Sequence, residues 1–339
     1  MIETTDFHGL AKQVLDGTPP SREQCHEVLD SGDDRLLTVL DAAFGLRRHH
    51  FGRDVQLHVL RNAKSGLCPE DCHYCSQSSV SDAPIDKYAL QTGDEILSGA
   101  HEAHSGGAHR YCIVTSGRAP SDREVESLCG TVEKIKSEVN IEICCCLGLL
   151  TSEHAQKLKA AGVDRVNHNL NTSEEHHDKI VSTHTYQDRL ETLRHVRDAG
   201  LSICSGGIVG MGESHDDIID LAFALGEVGA DSIPVNFLHP IDGTPLAGRD
   251  DLTPRDCLRI LSLFRFVNPD REIRVAGGRE RNIRSLQPLA LYPANSIFME
   301  GYLTTDGQET NEARRMIEDA GFSVTTHEQT TPTASVSVA

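Results

Sequence analysis

The chain has 339 residues, 38% of them hydrophobic and 24% charged, and a formal net charge of −19. So acidic a balance argues against a nucleic-acid partner, which needs a basic face. No apolar stretch approaches the ~20 residues of a membrane span, and the length suits one large α/β domain or two ordinary ones.

The opening Met1-Ile2-Glu3-Thr4-Thr5-Asp6 is acidic and lacks the apolar core of a secretory signal. The 11 cysteines are therefore expected as reduced thiols in the cytoplasm, an odd set suited to metal or catalysis rather than disulfides. Residues 1–50 are predicted as an N-terminal helical extension. Ser21 after Pro19-Pro20 is a plausible N-cap for a helix running to Leu29. Leu36, Leu37, Leu40 and Phe44 follow a helical spacing. His49 and His50 read as surface or packing residues.

From residue 55 short apolar runs alternate with longer amphipathic ones. The predicted strands are 55–60, 110–114, 141–145, 165–170, 202–205, 232–236, 272–276 and 296–299. Between them Thr151 caps a helix ending at Gly162. Leu190, Leu193 and Val196 line a second, and Ile218, Leu221, Ala222 and Leu225 a third. Thr253-Pro254 starts a fourth, with proline at its first position. Eight strands alternating with helices predict an α/β fold with a parallel sheet and right-handed crossovers. That number fits a TIM-type (β/α)8 barrel over residues 51–323. A doubly wound open sheet is the alternative, weakened because no GxGxxG follows a first strand. Residues 324–339, rich in Thr and Ser, are predicted to be a disordered tail.

Just after the first predicted strand comes Cys68-Pro69-Glu70-Asp71-Cys72-His73-Tyr74-Cys75. Three thiols at CxxxCxxC spacing have no fourth cysteine until Cys112. Protein Fe–S clusters usually take four thiolates, so this loop suits a cluster with one iron open to a small molecule. A structural zinc site would want a fourth ligand nearby, and His73 is too close to the flanking cysteines to serve easily.

Other cysteines sit in predicted strands: Cys112 in the second, Cys144, Cys145 and Cys146 in the third, Cys204 in the fifth. Strand side chains alternate between faces, so each strand can point one thiol inward, and Arg274 in the seventh can join them. Cys144 and Cys146 share a face, with Cys145 opposite. Two readings stay open from spacing alone: a second metal site, or small residues filling a core. Cys25, Cys129 and Cys257 fall on predicted helices and read as ordinary small residues.

From about Val55 to Leu303 the chain resembles the biotin synthases, a family of radical S-adenosylmethionine enzymes. The resemblance rests on Ser65-Gly66-Leu67-Cys68-Pro69-Glu70-Asp71-Cys72, Tyr74-Cys75-Ser76-Gln77-Ser78, Asn167-His168-Asn169-Leu170, Cys204-Ser205-Gly206-Gly207-Ile208-Val209-Gly210 and Ala276-Gly277-Gly278-Arg279-Glu280. It implies a sulfurtransferase that converts dethiobiotin to biotin, consuming two S-adenosylmethionine. A 5′-deoxyadenosyl radical would abstract hydrogen and a 2Fe–2S cluster would supply sulfur. It implies that Cys68, Cys72 and Cys75 hold a 4Fe–4S cluster. Cys112, Cys144, Cys204 and Arg274 would hold the 2Fe–2S cluster, Cys144 being selected from its triple by Glu142 before it and Gly148 after it.

By the same resemblance Gly107 and Ala108, in a loop before the second strand, would meet the methionine amino group. Asn171, which is Asp in some relatives, would hold the ribose hydroxyls, and Ile208, within 206–210, would pass the adenine. Asn169 and Asn236 would contact substrate. His184 stands where relatives often carry Arg, and no carboxylate contact is assigned to it. The implied partners are an electron donor such as flavodoxin or ferredoxin and a second copy in a homodimer. A hydrogenase-cluster maturase or amino-acid mutase of the same barrel type is the nearest rival. A non-catalytic Fe–S or zinc module is a rival of another class.

Overall fold

The computed structural model describes residues 5–305 and 307–327. Three helices precede the sheet: α1 (Phe7–Leu15), α2 (Arg22–Leu29) and α3 (Leu36–Phe51). Ser21 completes a capping box with Gln24, which satisfies donors that a helix start leaves bare. In α3, Leu36, Leu40 and Phe44 are buried but Leu37 is 68% exposed. Neighbouring residues on a helix point about 100° apart, so Leu37 leaves the stripe predicted for it.

The strands then follow: β1 (Asp54–Lys64), β2 (Arg110–Thr115), β3 (Glu142–Cys146), β4 (Arg165–Asn167), β5 (Ser202–Cys204), β6 (Gly207–Val209), β7 (Ser232–Phe237), β8 (Glu272–Val275), β9 (Ser296–Phe298) and β10 (Ser323–Thr325). All pairings are parallel, and β9 pairs with β1 to close the ring. Both β5 and β6 pair with β7, at Cys204↔Ser232 and Gly207↔Val235. They form one stave broken at Ser205-Gly206, so the closed barrel has the eight staves predicted. At the break a Cβ on Gly206 would stand 1.9 Å from the carbonyl oxygen of Pro234; only glycine allows so close an approach. The ladder of β4 stops at Asn167, short of residue 170, because Asn167, Asn169 and Asn171 bond sideways to neighbours described below.

Helices cross between the strands: α4 (Gly93–Ser105), α5 (Asp122–Glu138), α6 (Ser152–Ala160), α7 (Glu174–His177), α8 (Tyr186–Asp198), α9 (His215–Glu227), α10 (Pro254–Val267), α11 (Arg279–Ile283), α12 (Gln287–Ala290) and α13 (Thr310–Asp319). Thr151 and Thr253 cap α6 and α10 as predicted. The extension packs on the helices outside the sheet, with α3 against α10 and α2 against α9.

β10 corrects one prediction. Val324 and Thr325 lie in a strand whose partners are Val55 and Gln56 of β1. The edge of β1 below its pairing with β2 needs backbone partners, and β10 supplies them. The rest of the predicted tail, from 328 on, lies outside the described residues.

Candidate active site

In a parallel barrel the loops after the strands share one end. The loop after β1 carries the three closely spaced cysteines without regular secondary structure. Gly66 and Leu67, with φ of 70° and 55°, turn the chain out of the strand. Gln77 Oε1 accepts from the Gly66 amide at 2.8 Å, and Ser116 Oγ donates to its carbonyl at 2.7 Å. Inside the loop, the Cys75 amide donates to the Cys72 carbonyl at 3.1 Å.

Two acidic side chains fasten this loop to residues 182–184. Asp71 accepts from the amides of Ser182 (2.9 Å) and Thr183 (3.2 Å) and from both hydroxyls. Glu70 accepts from Thr183 Oγ1 at 2.7 Å, from Arg118 at 3.1 Å and from His184 Nδ1. On its other side His184 Nε2 faces Arg189 Nη2 at 2.5 Å. A guanidinium only donates, so His184 is the neutral tautomer with its proton on Nδ1. Burial, then Arg189, holds its pKa below the ordinary value. Arg189 Nη1 donates to the carbonyl of Asn169 at 2.8 Å.

Cys68, Cys72 and Cys75 line a cavity of about 400 Å³ at the barrel mouth. Burial raises all three thiols, Cys75 to about 12, while Arg189 works against the rise at Cys72. His73 turns its amide to the carbonyl of Ile180 and does not line the cavity.

Cys112 and Cys144 form the floor of the same cavity, and the fully buried Cys204 packs with them against Leu60 and Phe298. Register explains their meeting: Cys112 is the direct partner of Cys144 across β2 and β3, and Cys204 is the partner of Asn167 across β4 and β5. Cys144 packs against both other thiols. Its contact with Cys112 and its burial raise its pKa, and its contact with Cys204 opposes this. Cys145, on the opposite face, belongs to the apolar core. Cys146 shares the inward face, lines the cavity, and is pushed to about 12 by burial. Arg274 on β8 places Nη1 3.8 Å from Cys204 Sγ and stacks over the Phe298 ring. Its Nε is buried with no partner among the described residues.

Each thiol set fits an iron–sulfur group. The first gives three soft donors at the cavity wall and the second two there with Cys204 packed against them, and sulfur donors of this kind select such clusters. The second set adds a buried nitrogen edge with unused hydrogen-bonding capacity.

Asn169, Asn171, Ile208 and Asn236 all line the cavity. Asn169 Oδ1 accepts from Asn167 Nδ2 at 3.0 Å and from the Gly206 amide at 3.1 Å. Asn171, with φ of 71°, donates to the Tyr74 hydroxyl. Asn236 donates to the Gly207 carbonyl at 3.0 Å and accepts from the Gly277 amide at 2.9 Å. One N–H and one lone pair of that amide remain for a ligand.

Gly107 and Ala108 are not brought to the site. They precede β2 and so sit at the far end of the barrel, where Arg314 donates to the Gly106 carbonyl at 2.6 Å. The small residues that reach the cavity are Ser116 and Gly117, directly after β2, with Arg118 beside them. Position after a strand, rather than before it, was the signal that finds them. Glu70, Asn167 and Arg189 also line the cavity without having been expected from the sequence; their contacts join segments far apart in the chain, which no local pattern marks.

The Radical SAM superfamily model matches residues 64–225, and the Biotin and Thiamin Synthesis associated domain matches residues 234–323. The chain is 56% identical over 319 residues to a biotin synthase of Rhodopirellula baltica, covering 94% of this chain and 89% of the relative. It is 51% identical over 320 residues to a biotin synthase of Bacillus subtilis, covering 94% and 96%. Among solved structures, methylornithine synthase (PylB) superposes with a TM-score of 0.83 at 20% identity, covering 94% of this chain and 98% of that one. The hydrogenase maturase HydG of Carboxydothermus hydrogenoformans gives 0.79 at 17%, covering 94% and 79%. These two likenesses concern the fold alone, whereas the sequence identity spans both thiol sets and the loops around them. The chain belongs to the biotin synthase family of the radical S-adenosylmethionine superfamily.

Proposed function

We propose that Cys68, Cys72 and Cys75 hold the 4Fe–4S cluster of a biotin synthase, and that Cys112, Cys144, Cys204 and Arg274 hold its 2Fe–2S cluster. The observation that carries this reading is that one cavity is lined by the first set at its mouth and by Cys112, Cys144 and Arg274 on its floor, with Cys204 buried against those two thiols. When bound, the first cluster supplies the electron that cleaves S-adenosylmethionine to methionine and a 5′-deoxyadenosyl radical, and the second supplies the sulfur inserted into dethiobiotin.

The chain's own residues bind, orient and shield. The closed ring of strands keeps bulk water from the floor, where Cys204 is fully buried. Asn171 and Ile208 are proposed to hold the nucleoside of S-adenosylmethionine, and Asn169 and Asn236 the ring of dethiobiotin. Gly107 and Ala108 have no place in this site. An electron donor of flavodoxin or ferredoxin type would approach the cysteine loop, where Leu67, next to Cys68, is 79% exposed. A homodimer is proposed on family membership. A cytoplasmic setting is supported by all 11 cysteines being free thiols. Among the described residues no helix is long and apolar enough to cross a membrane.

Anaerobic assay of biotin and 5′-deoxyadenosine together tests the assignment. Cys72→Ala is expected to abolish both products. Cys144→Ala, loaded with its first cluster, is expected to make 5′-deoxyadenosine without biotin. Biotin from the Cys144→Ala protein would overturn the assignment of the second set.

A further inference from the structure

A guanidinium stays protonated and offers only donors, so what Arg274 brings to the thiols depends on which of its N–H groups its surroundings leave free. Nη2 donates to Glu272 Oε1 at 2.5 Å and to Ser232 Oγ at 2.8 Å, which uses both of its hydrogens. Nη1 faces Cys204 Sγ at 3.8 Å, and Nε has no partner among the described residues. The guanidinium is thus held at Nη2 and turns Nη1 to Cys204.

Glu272 holds that corner and is itself held from several sides. Arg110 donates to it with Nη1 at 3.2 Å and Nη2 at 3.0 Å, and Ser296 Oγ at 2.9 Å. His58 Nε2 stands 3.5 Å from Oε1, while its Nδ1 accepts from Arg110 at 3.0 Å. Arg110 also binds Glu142, which binds Arg165. The array is buried, with Arg110 and Arg274 each 1% exposed. It sets three cations (Arg110, Arg165, Arg274) against two carboxylates (Glu142, Glu272) directly beneath the cysteines. A buried carboxylate is costly and gives little net stability even when paired, so the fold alone does not call for one here.

We infer that Glu272 is the positioning residue for Arg274: by holding Nη2 it presents Nη1 to Cys204, and its charge tunes the reduction potential of the group the three thiols hold. The inference rests on the proposed assignment of the 2Fe–2S cluster to Cys112, Cys144, Cys204 and Arg274. Removing a negative charge beside a cluster favours its reduced form, so Glu272→Gln is expected to raise the potential. The glutamine amide would also point a donor at Arg110 or Arg274, freeing the guanidinium to turn.

The test compares wild-type and Glu272→Gln holoenzyme for iron and sulfide content, visible circular dichroism and redox titration of the second cluster. Expected are a full first cluster, a more positive second potential, an altered dichroism, and a several-fold fall in biotin per 5′-deoxyadenosine. Where the single variant does not load its second cluster, Arg110→Gln with Glu272→Gln, which removes one charge of each sign, is read by its dichroism and its second-cluster content, not by its potential. Selective loss of the second cluster in both variants also supports the inference. A potential and dichroism equal to wild type, or loss of both clusters together, overturns it. Absence of a second cluster from the wild-type protein would instead overturn the assignment beneath it.

Discussion

His58 and His168 carry their charge state as a stability term. Burial, reinforced by Arg274 at His58 and Arg189 at His168, holds both well below the ordinary value of 6.5. The folded chain keeps them neutral, while the unfolded chain takes up a proton as pH falls through 6.5. Their contribution is present above that pH and lost below it. At about pH 5 each is expected to cost about 2 kcal/mol. Denaturant unfolding of the metal-free protein at about pH 5 and about pH 7.5 checks this; an equal midpoint at the two values would contradict it. The same residue scale shows what a sequence discloses. Cys144 and Cys145 differ only by the alternation of a strand, and that alternation correctly separated cavity from core. The role of Glu272 was not readable, because its meaning comes from Arg110 and Arg274 meeting it across the sheet.

At the scale of elements, the cysteine loop is the least regular part of the site and depends on side-chain ties. Asp71 replaces missing secondary structure by accepting four hydrogen bonds from Ser182 and Thr183. Asp71→Ala is expected to speed iron loss to a chelator and lower 5′-deoxyadenosine formation several-fold, with Asp71→Asn between the two. A chelation rate unchanged from wild type would show that the loop holds without this tie. The strands themselves were legible because short apolar runs between helical patterns mark them directly. The ties were not, since Glu70 and His184 stand 114 residues apart and no local period links them. Confusing the loop before β2 with the loop after it had the same origin: glycine marks both turns, and only the direction of the barrel tells them apart.

For the whole molecule, the extension and the barrel form one packed body through Arg47. Its buried guanidinium on α3 donates to the carbonyls of Asp54 at 2.6 Å and Ala294 at 3.3 Å, and to Gly52. Arg47→Ala leaves these carbonyls without their donor and is expected to cost about 3 kcal/mol, with a single unfolding transition. Two separated transitions would mean that extension and barrel fold as independent units. Closure of eight staves was legible from their number, but the break at Gly206 and the pairing of β10 with β1 were not. Both depend on backbone approaches between segments distant in the chain. In the proposed function the same whole places a radical-generating loop over a sulfur-bearing floor in one cavity. A single anaerobic turnover by protein whose clusters were assembled with heavy-isotope sulfide tests this arrangement. Heavy sulfur is expected in the biotin formed; biotin of natural isotopic composition would contradict a floor that supplies the sulfur.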